Sequence, residues 1–278
     1  MTEQRLKRLD HAAAGFVEDF SASRLDPSRW VDHYLPQWTT PQRSRARYDL
    51  LGLQGPGAPA VETGGPRSGA RLRIDGDQLD RRPEDAPMRV SNLQTAAFSG
   101  PGGSRRGTHR HRPDGLLVRT AVPQRLLWAP RAGQVDVTVT ASRDRGCMLA
   151  VRLVGTEHAD ELDSGEVCLF EIDAEAVSAS TTTARVGIKA HHDPRLSTEM
   201  TEVVVPLGAG RAHTWSARWD GGGVVIACCE VVVFTSAQVL DYPLQLMVGL
   251  FEIGPRDSAD TYPETAVVHA VTASRPGC

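Results

Sequence analysis

The sequence predicts an all-β protein, a two-sheet antiparallel β-sandwich in jelly-roll order. Three observations carry this expectation. Runs of β-branched and aromatic residues alternate with polar ones at period two, the period of a half-buried strand. About a dozen such runs are separated by Gly and Pro turns, and the 278 residues include 26 Gly and 18 Pro. Hardly any stretch keeps a helical repeat, so sheets must pack on sheets.

The elements follow in order. Residues 1–15 form an N-terminal arm, helical at most as far as Gly15, and residues 16–278 form a single domain. Phe16-Val17-Glu18-Asp19-Phe20 opens as an edge strand, and Asp26-Pro27-Ser28 sets a turn ahead of Trp30. Trp30, Tyr34 and Trp38 are expected as core or rim anchors. From Gly52 to Ala70 the composition turns to Gly, Pro and Ala, which reads as a long surface loop. Strands are then expected at residues 71–75, 89–95, 115–121 and 133–141, the last with Val alternating against polar residues. Residues 147–154 are nearly all apolar, as in a central strand packed on both sides. Further strands are expected at 184–192, 202–207, 213–219, 224–234, 244–251 and 266–272.

Composition narrows the function. The formal net charge is −3, from 34 acidic and 31 basic residues, so the basic surplus that nucleic-acid binding needs is missing. The N-terminus is charged and leads into no apolar run, which reads as no secretory signal and sets a cytoplasmic location as the expectation. No run approaches the roughly 20 apolar residues of a membrane helix, so no membrane partner is expected. The five cysteines include no Cys-x-x-Cys spacing. They read as free, mostly buried thiols rather than a disulfide framework or zinc knuckle.

One stretch breaks the local rules. Gly165-Glu166-Val167-Cys168-Leu169-Phe170-Glu171-Ile172-Asp173-Ala174-Glu175 reads as a strand, yet it carries four carboxylates and a thiol. Strands disfavour Asp and Glu, and local rules tend to break where a site lies.

Ordered marks surround it. They are Phe16-x-x-Asp19-Phe20, Leu25-Asp26-x-x-x-Trp30, Gly133-x-Val135-x-Val137, the strand from Gly146 to Gly155, the acidic strand, and His213-Thr214-Trp215 with Trp219. In this order the sequence resembles the concanavalin A-like lectin and glucanase superfamily, specifically the family 16 glycoside hydrolases, from Phe16 onward. The resemblance implies a jelly-roll fold and retaining action on β-linked glucans or smaller glycosides. One glutamate then attacks the anomeric carbon, a second protonates the leaving oxygen, and an aspartate between them tunes the pair.

Two registers fit that motif. With a bulge, Glu166 is the nucleophile, Glu171 the acid/base, and Cys168 stands at the aspartate position. Without one, Glu171, Asp173 and Glu175 fill the three roles. Glu171 belongs to both. The plainer alternative leaves Glu166 and Glu175 solvated and Asp173 hydrogen-bonded to a loop. Arg152 stands where the family usually shows Trp, and it suits either an anionic ligand or a structural pairing with one of the acids. His191, His213 and Trp215 are implied as cleft-lining, substrate-binding residues, with a core role equally open for the two histidines. His109 and His111 share a strand face, which suits a metal or an anion. They have no third ligand at a diagnostic distance, so no metal and no cofactor are expected.

Aromatic residues are only 5% of the chain, few for a sugar cleft. Three readings therefore stand: a retaining glycosidase or transglycosidase, a lectin-like carbohydrate-binding module without hydrolysis, and a cytoplasmic non-hydrolytic enzyme reusing the cleft. The partner is a carbohydrate or small-molecule ligand in each.

Overall fold

The computed structural model describes residues 14–53, 68–112, 115–257 and 260–274. Sixteen strands carry it. The first six are β1 (Ala14–Glu18), β2 (Arg47–Leu50), β3 (Ala70–Ile74), β4 (Arg89–Gln94), β5 (Ala96–Ala97) and β6 (Arg125–Leu126). Next come β7 (Gly133–Thr140), β8 (Cys147–Gly155), β9 (Glu166–Asp173), β10 (Thr182–Lys189) and β11 (Glu199–Val205). The last are β12 (His213–Asp220), β13 (Gly223–Cys228), β14 (Val231–Ser236), β15 (Leu244–Glu252) and β16 (Glu264–Ser274).

Two antiparallel sheets face each other. The larger has the order β14-β13-β12-β7-β16-β3-β2, with β1 also paired to β16; the smaller has β11-β10-β9-β8-β15-β4. Such non-sequential neighbours are what a jelly roll produces. The core between the sheets is built by alternation. Val135, Val137 and Val139 of β7 point in, and the polar residues between them point out. From β12, Trp215 and Trp219 enter the same core, and the Trp215 ring lies 5.0 Å from that of Phe170.

A second apolar cluster covers the other face of the smaller sheet. Met148, Ala150 and Val154 of β8 and Met247 and Phe251 of β15 are roofed by Tyr34, Leu35, Trp38, Leu116 and Val118. Burial on both faces explains why β8 reads as a nearly unbroken apolar run. The roof ends before β9 and β10, and this leaves their outward face for polar side chains.

Some elements differ from the expectation. Residues 115–121 form no strand, because Val118 and Arg119 donate their N–H groups to the carbonyls of Ser104, in a loop, and Gln37, in the 3-10 turn Pro36–Trp38. Their period-two pattern instead drops Leu116 and Val118 into the roof. Residues 224–234 fold into a hairpin, because Cys229 and Glu230 take φ of 49° and 70°, as a tight turn requires. The expected arm and the Gly- and Pro-rich loop fall largely at 1–13 and 54–67, outside the described residues. No helix among the described residues is long and apolar enough to cross a membrane.

Candidate functional site

The acidic strand is bulged. Arg152 pairs with Cys168 and Val151 with Phe170, so Leu169 is the extra residue. Leu169 and Phe170 both turn into the core, and the next residue returns to the outer face. Glu166, Cys168, Glu171 and Asp173 therefore share the outward face of β9. The alternation on β10 adds Arg185, Gly187 and Lys189 to that face, with Ala184, Val186 and Ile188 in the core. Gly187 lies opposite Cys168 with φ of 141°, and a Cβ there would meet Glu199 O at 2.1 Å. The position therefore suits glycine alone, and the space before Cys168 carries no side chain from β10.

The ends of β9 are anchored. Gly165 N donates to the Tyr242 hydroxyl (3.0 Å), which donates to Asp193 (2.8 Å), whose carboxylate also accepts from Arg195 Nε (2.7 Å). A Cβ at Gly165 would lie 2.3 Å from that hydroxyl. Asp193 closes the turn after β10, while His192 reaches the carbonyl of Arg110 at 2.7 Å. The turn holds His191 at φ of 48°, and His109 opposite it has φ of 50°. Such backbone strain in non-glycine residues needs tight surroundings to persist.

These constraints assemble an ion lattice. Arg152 Nη2 donates to Glu171 Oε1 at 2.8 Å, and its Nε lies 3.5 Å from Glu166 Oε1. Lys189 Nζ lies 3.3 Å from Glu166 Oε1 and hydrogen-bonds Glu171 Oε1. His191 Nε2 donates to Glu166 Oε2 at 3.0 Å. Farther out, Arg185 pairs with Asp173 and Glu171. Burial alone would push Glu166 up, but Arg152, the His191 hydrogen bond and Lys189 hold it well below the usual carboxylate value. Glu171 is likewise lowered, because Arg152 and Lys189 outweigh its burial. Burial and the two glutamates push the Cys168 thiol up, so it stays neutral.

Oxygens of Glu166 and Glu171 and the Cys168 sulfur lie within 4.8 Å of one another, as do ligand atoms of His109, Glu166 and His191. The second set has the donor chemistry of a transition-metal site. Arg152 and Lys189 already neutralise its carboxylate and oppose a further positive charge.

The other expected residues lie elsewhere. Glu175 sits on the short 3-10 turn after β9, where its carboxylate accepts from Gly146 N at 2.8 Å. The unbulged triad of Glu171, Asp173 and Glu175 is therefore not assembled. His213 and Trp215 belong to β12 in the larger sheet, and Trp215 is a core residue. Neither lines the β9 face, because β12 pairs with β7 and β13 and not with β9 or β10. Arg152 is the partner of the two glutamates, stacked 5.1 Å over the Phe251 ring. Sequence reasoning missed Lys189 and gave His109 no place beside the acids. The pattern Arg185-x-Gly187-x-Lys189 is the signal for the lysine: two cations on one face of a strand otherwise apolar on its inner side.

A two-sheet jelly roll with paired glutamates on the outward face of a bulged strand defines a glucanase-like class of fold. Comparison with solved structures makes this specific. An endo-β-galactosidase from Clostridium perfringens that releases GlcNAcα1-4Gal superposes with a TM-score of 0.74 at 17% identity, over 96% of this chain and 64% of that one. This chain thus spans less than two thirds of that protein. The catalytic domain of an endo-1,3-β-glucanase (laminarinase) from Thermotoga petrophila RKU-1 gives 0.56 at 11% identity, over 99% and 100% of the two chains. A glycoside hydrolase family 16 endo-glucanase from Bacteroides ovatus gives 0.53 at 13%, over 93% and 99%. No protein-family model and no curated protein sequence matches the chain. At these identities the likeness establishes the fold: the chain has a glycoside hydrolase family 16-like jelly roll.

Proposed function

We propose that this chain is a carbohydrate-binding protein that keeps the family 16-like sandwich without its hydrolysis, with the outward face of β9 and β10 as its ligand site. One observation carries the reading: Arg152 and Lys189 stand between Glu166 and Glu171 and hold both ionised. A retaining glycosidase needs one carboxylate as nucleophile and one protonated carboxyl as acid, their pKa values held apart. Here the same two cations lower both. Cys168, neutral and buried, supplies no charge between them. The glycan-active proteins of this fold support carbohydrate as the ligand. Lys189, His191, Arg185 and Asp173 remain partly exposed and offer donors and acceptors to sugar hydroxyls.

A glycan array combined with reducing-sugar release tests this. The expected result is saturable binding, weakened by Arg185→Ala, with no product after long incubation. Binding of no glycan at all would reject it.

One observation favours a second reading, a retaining glycosidase or transglycosidase acting on β-linked glucans or smaller glycosides. Oxygens of Glu166 and Glu171 approach within 4.8 Å, near the roughly 5 to 5.5 Å between carboxyl groups that retention uses. That reading expects turnover that disappears in Glu166→Gln and Glu171→Gln with little change in melting temperature. Product from the unaltered chain, lost in these variants, would replace the first reading with this one.

A further inference from the structure

Beside the β9 face lies a second cluster of charges, and it is unbalanced. Arg81 and Arg82 lead into the 3-10 turn Pro83–Asp85, and His111 and Arg112 come from the loop between β5 and β6. All four surround the buried carboxylate of Asp85. Arg81 Nη1 lies 3.3 Å from it, Arg82 Nη1 3.2 Å, Arg112 Nη2 3.0 Å and His111 Nε2 3.6 Å. Burial pulls His111 down to about 4, so it is neutral at pH 7. Arg81 is pulled down by burial to about 10 and keeps its charge there. Three guanidinium groups thus face one carboxylate, an excess of two positive charges. Glu84, which pairs with Arg82 and Arg119, adds one anion and one further cation and leaves that excess unchanged.

The donors are unused as well as in excess. The Arg81 side chain is 1% exposed, and its Nε and Nη2 have no hydrogen-bond partner among the described residues. The same holds for His111 Nδ1, while Arg82 Nε has no closer partner than its ion pair with Glu84 at 3.7 Å. Leaving buried guanidinium N–H groups unpaired is costly, and a carboxylate or sulfate oxygen pair matches a guanidinium fork. The Arg81 group is held in place: it lies 4.8 Å over the Tyr34 ring, and its backbone bonds Met88 and Thr39.

Two chains of contact join this cluster to the β9 face. Through Tyr34, ring contact at 5.3 Å leads to Phe251, over which Arg152 stacks. Through His111, ring centroids at 6.2 Å and then 4.9 Å lead to His109 and His191, and so to Glu166.

We propose that Arg81, Arg82, His111 and Arg112 form a subsite for an anionic substituent, a sulfate ester or a uronate carboxylate, of the glycan held at β9. This inference rests on the carbohydrate-binding reading and adds the class of ligand to it.

Two measurements test it separately from that reading. In the first, inorganic sulfate is titrated at constant ionic strength against chloride, and the melting midpoint is followed for the wild type, Arg112→Ala and Arg81→Lys. Arg112 is 51% exposed, so its removal leaves the fold intact. A saturable rise in the wild type that both variants lose supports the site. A rise shared equally by all three is the general salting effect of sulfate and overturns it. In the second, dissociation constants are compared for neutral, sulfated and uronate-containing forms of one oligosaccharide. The expected result is that an anionic form binds about tenfold tighter than the neutral one, with the ratio reduced in Arg112→Ala. The sulfated and uronate arms distinguish the two substituents. Equal affinity for all three forms overturns the subsite. Saturable sulfate binding without affinity for any glycan would uphold the anion site and remove the carbohydrate reading.

Discussion

Two groups of buried glutamates at different places in the sandwich titrate in opposite directions. At β9, Glu166 and Glu171 are buried against Arg152 and Lys189 and are held below the ordinary carboxylate value. At the start of β16, Glu264 is also buried, but its neighbours are the Cys147 thiol, which donates at 2.9 Å, and the carboxylates of Glu252, Asp144 and Asp260. Burial, with those like charges, pushes Glu264 up to about 7. Glu157, under the loop that carries His109, is pushed by burial up to about 8. Burial acts upward at every one of these positions. The sign turns on whether nearby cations outweigh it: the β9 pair shares two that do, whereas Arg110 beside Glu157 does not. A raised carboxyl is what general-acid chemistry asks for, and in this chain it occurs away from the strand that the family motif singles out.

The β9 pair is most vulnerable at Arg152. Arg152→Met leaves two buried carboxylates with Lys189 as their one shared cation, and a loss of about 3–5 kcal/mol in urea unfolding is expected. A loss below about 1 kcal/mol would mean that the glutamates are solvated and the contrast with Glu264 is unfounded.

The pH dependence of stability separates the two groups next. Glu264 and Glu157 have folded values above their ordinary 4.5, so the stability they contribute is complete below that value and is lost as pH rises through about 7 to 8. Glu166 and Glu171 have folded values below 4.5, so their contribution is present above 4.5 and is lost as pH falls through the folded values. Melting temperature should therefore decline on both sides of a mildly acidic optimum. Glu264→Gln should flatten the neutral side alone. An unchanged neutral limb in that variant would show that Glu264 titrates normally.

Lys189→Met is expected to cost roughly 1–3 kcal/mol, since the lysine is partly exposed and one cation remains. In that variant the titration midpoint of Glu171, followed by carboxyl-carbon NMR, should rise. A fixed midpoint would assign the lowering to Arg152 alone. The smallest effect belongs to Arg185→Met. Its side chain is 36% exposed, its pair with Asp173 lies at the rim and its contact with Glu171 is a longer 3.4 Å, and exposed pairs contribute about 0–1 kcal/mol. A loss beyond that range would extend the buried lattice to the rim.

Much of this was legible in the sequence. Period-two alternation is a local property, because successive strand side chains point to opposite faces whatever the strand pairs with. The all-β class followed from it, as did the inward face of β7 and the double-sided burial of β8. So did the concentration of carboxylates at residues 166–175, since acids in an apolar strand stand out against propensity. Other features were invisible to it. The sequence allowed both registers of the acidic strand, and the choice lies in cross-strand pairing: Arg152 opposite Cys168, with Leu169 turned inward beside Phe170. His213-Thr214-Trp215 carried the right residue types for a cleft, but sheet membership depends on which distant strand β12 meets, and it meets β7.

Local patterning is enough to make this chain a sandwich with an acidic strand in it. What those acids are depends on side chains that the fold brings in from elsewhere. Arg152, His109 and the Lys189–His191 segment come from three separate places in the chain, and at buried positions the sign of a carboxylate's shift is set by charges a few ångströms away in space, which no local pattern records.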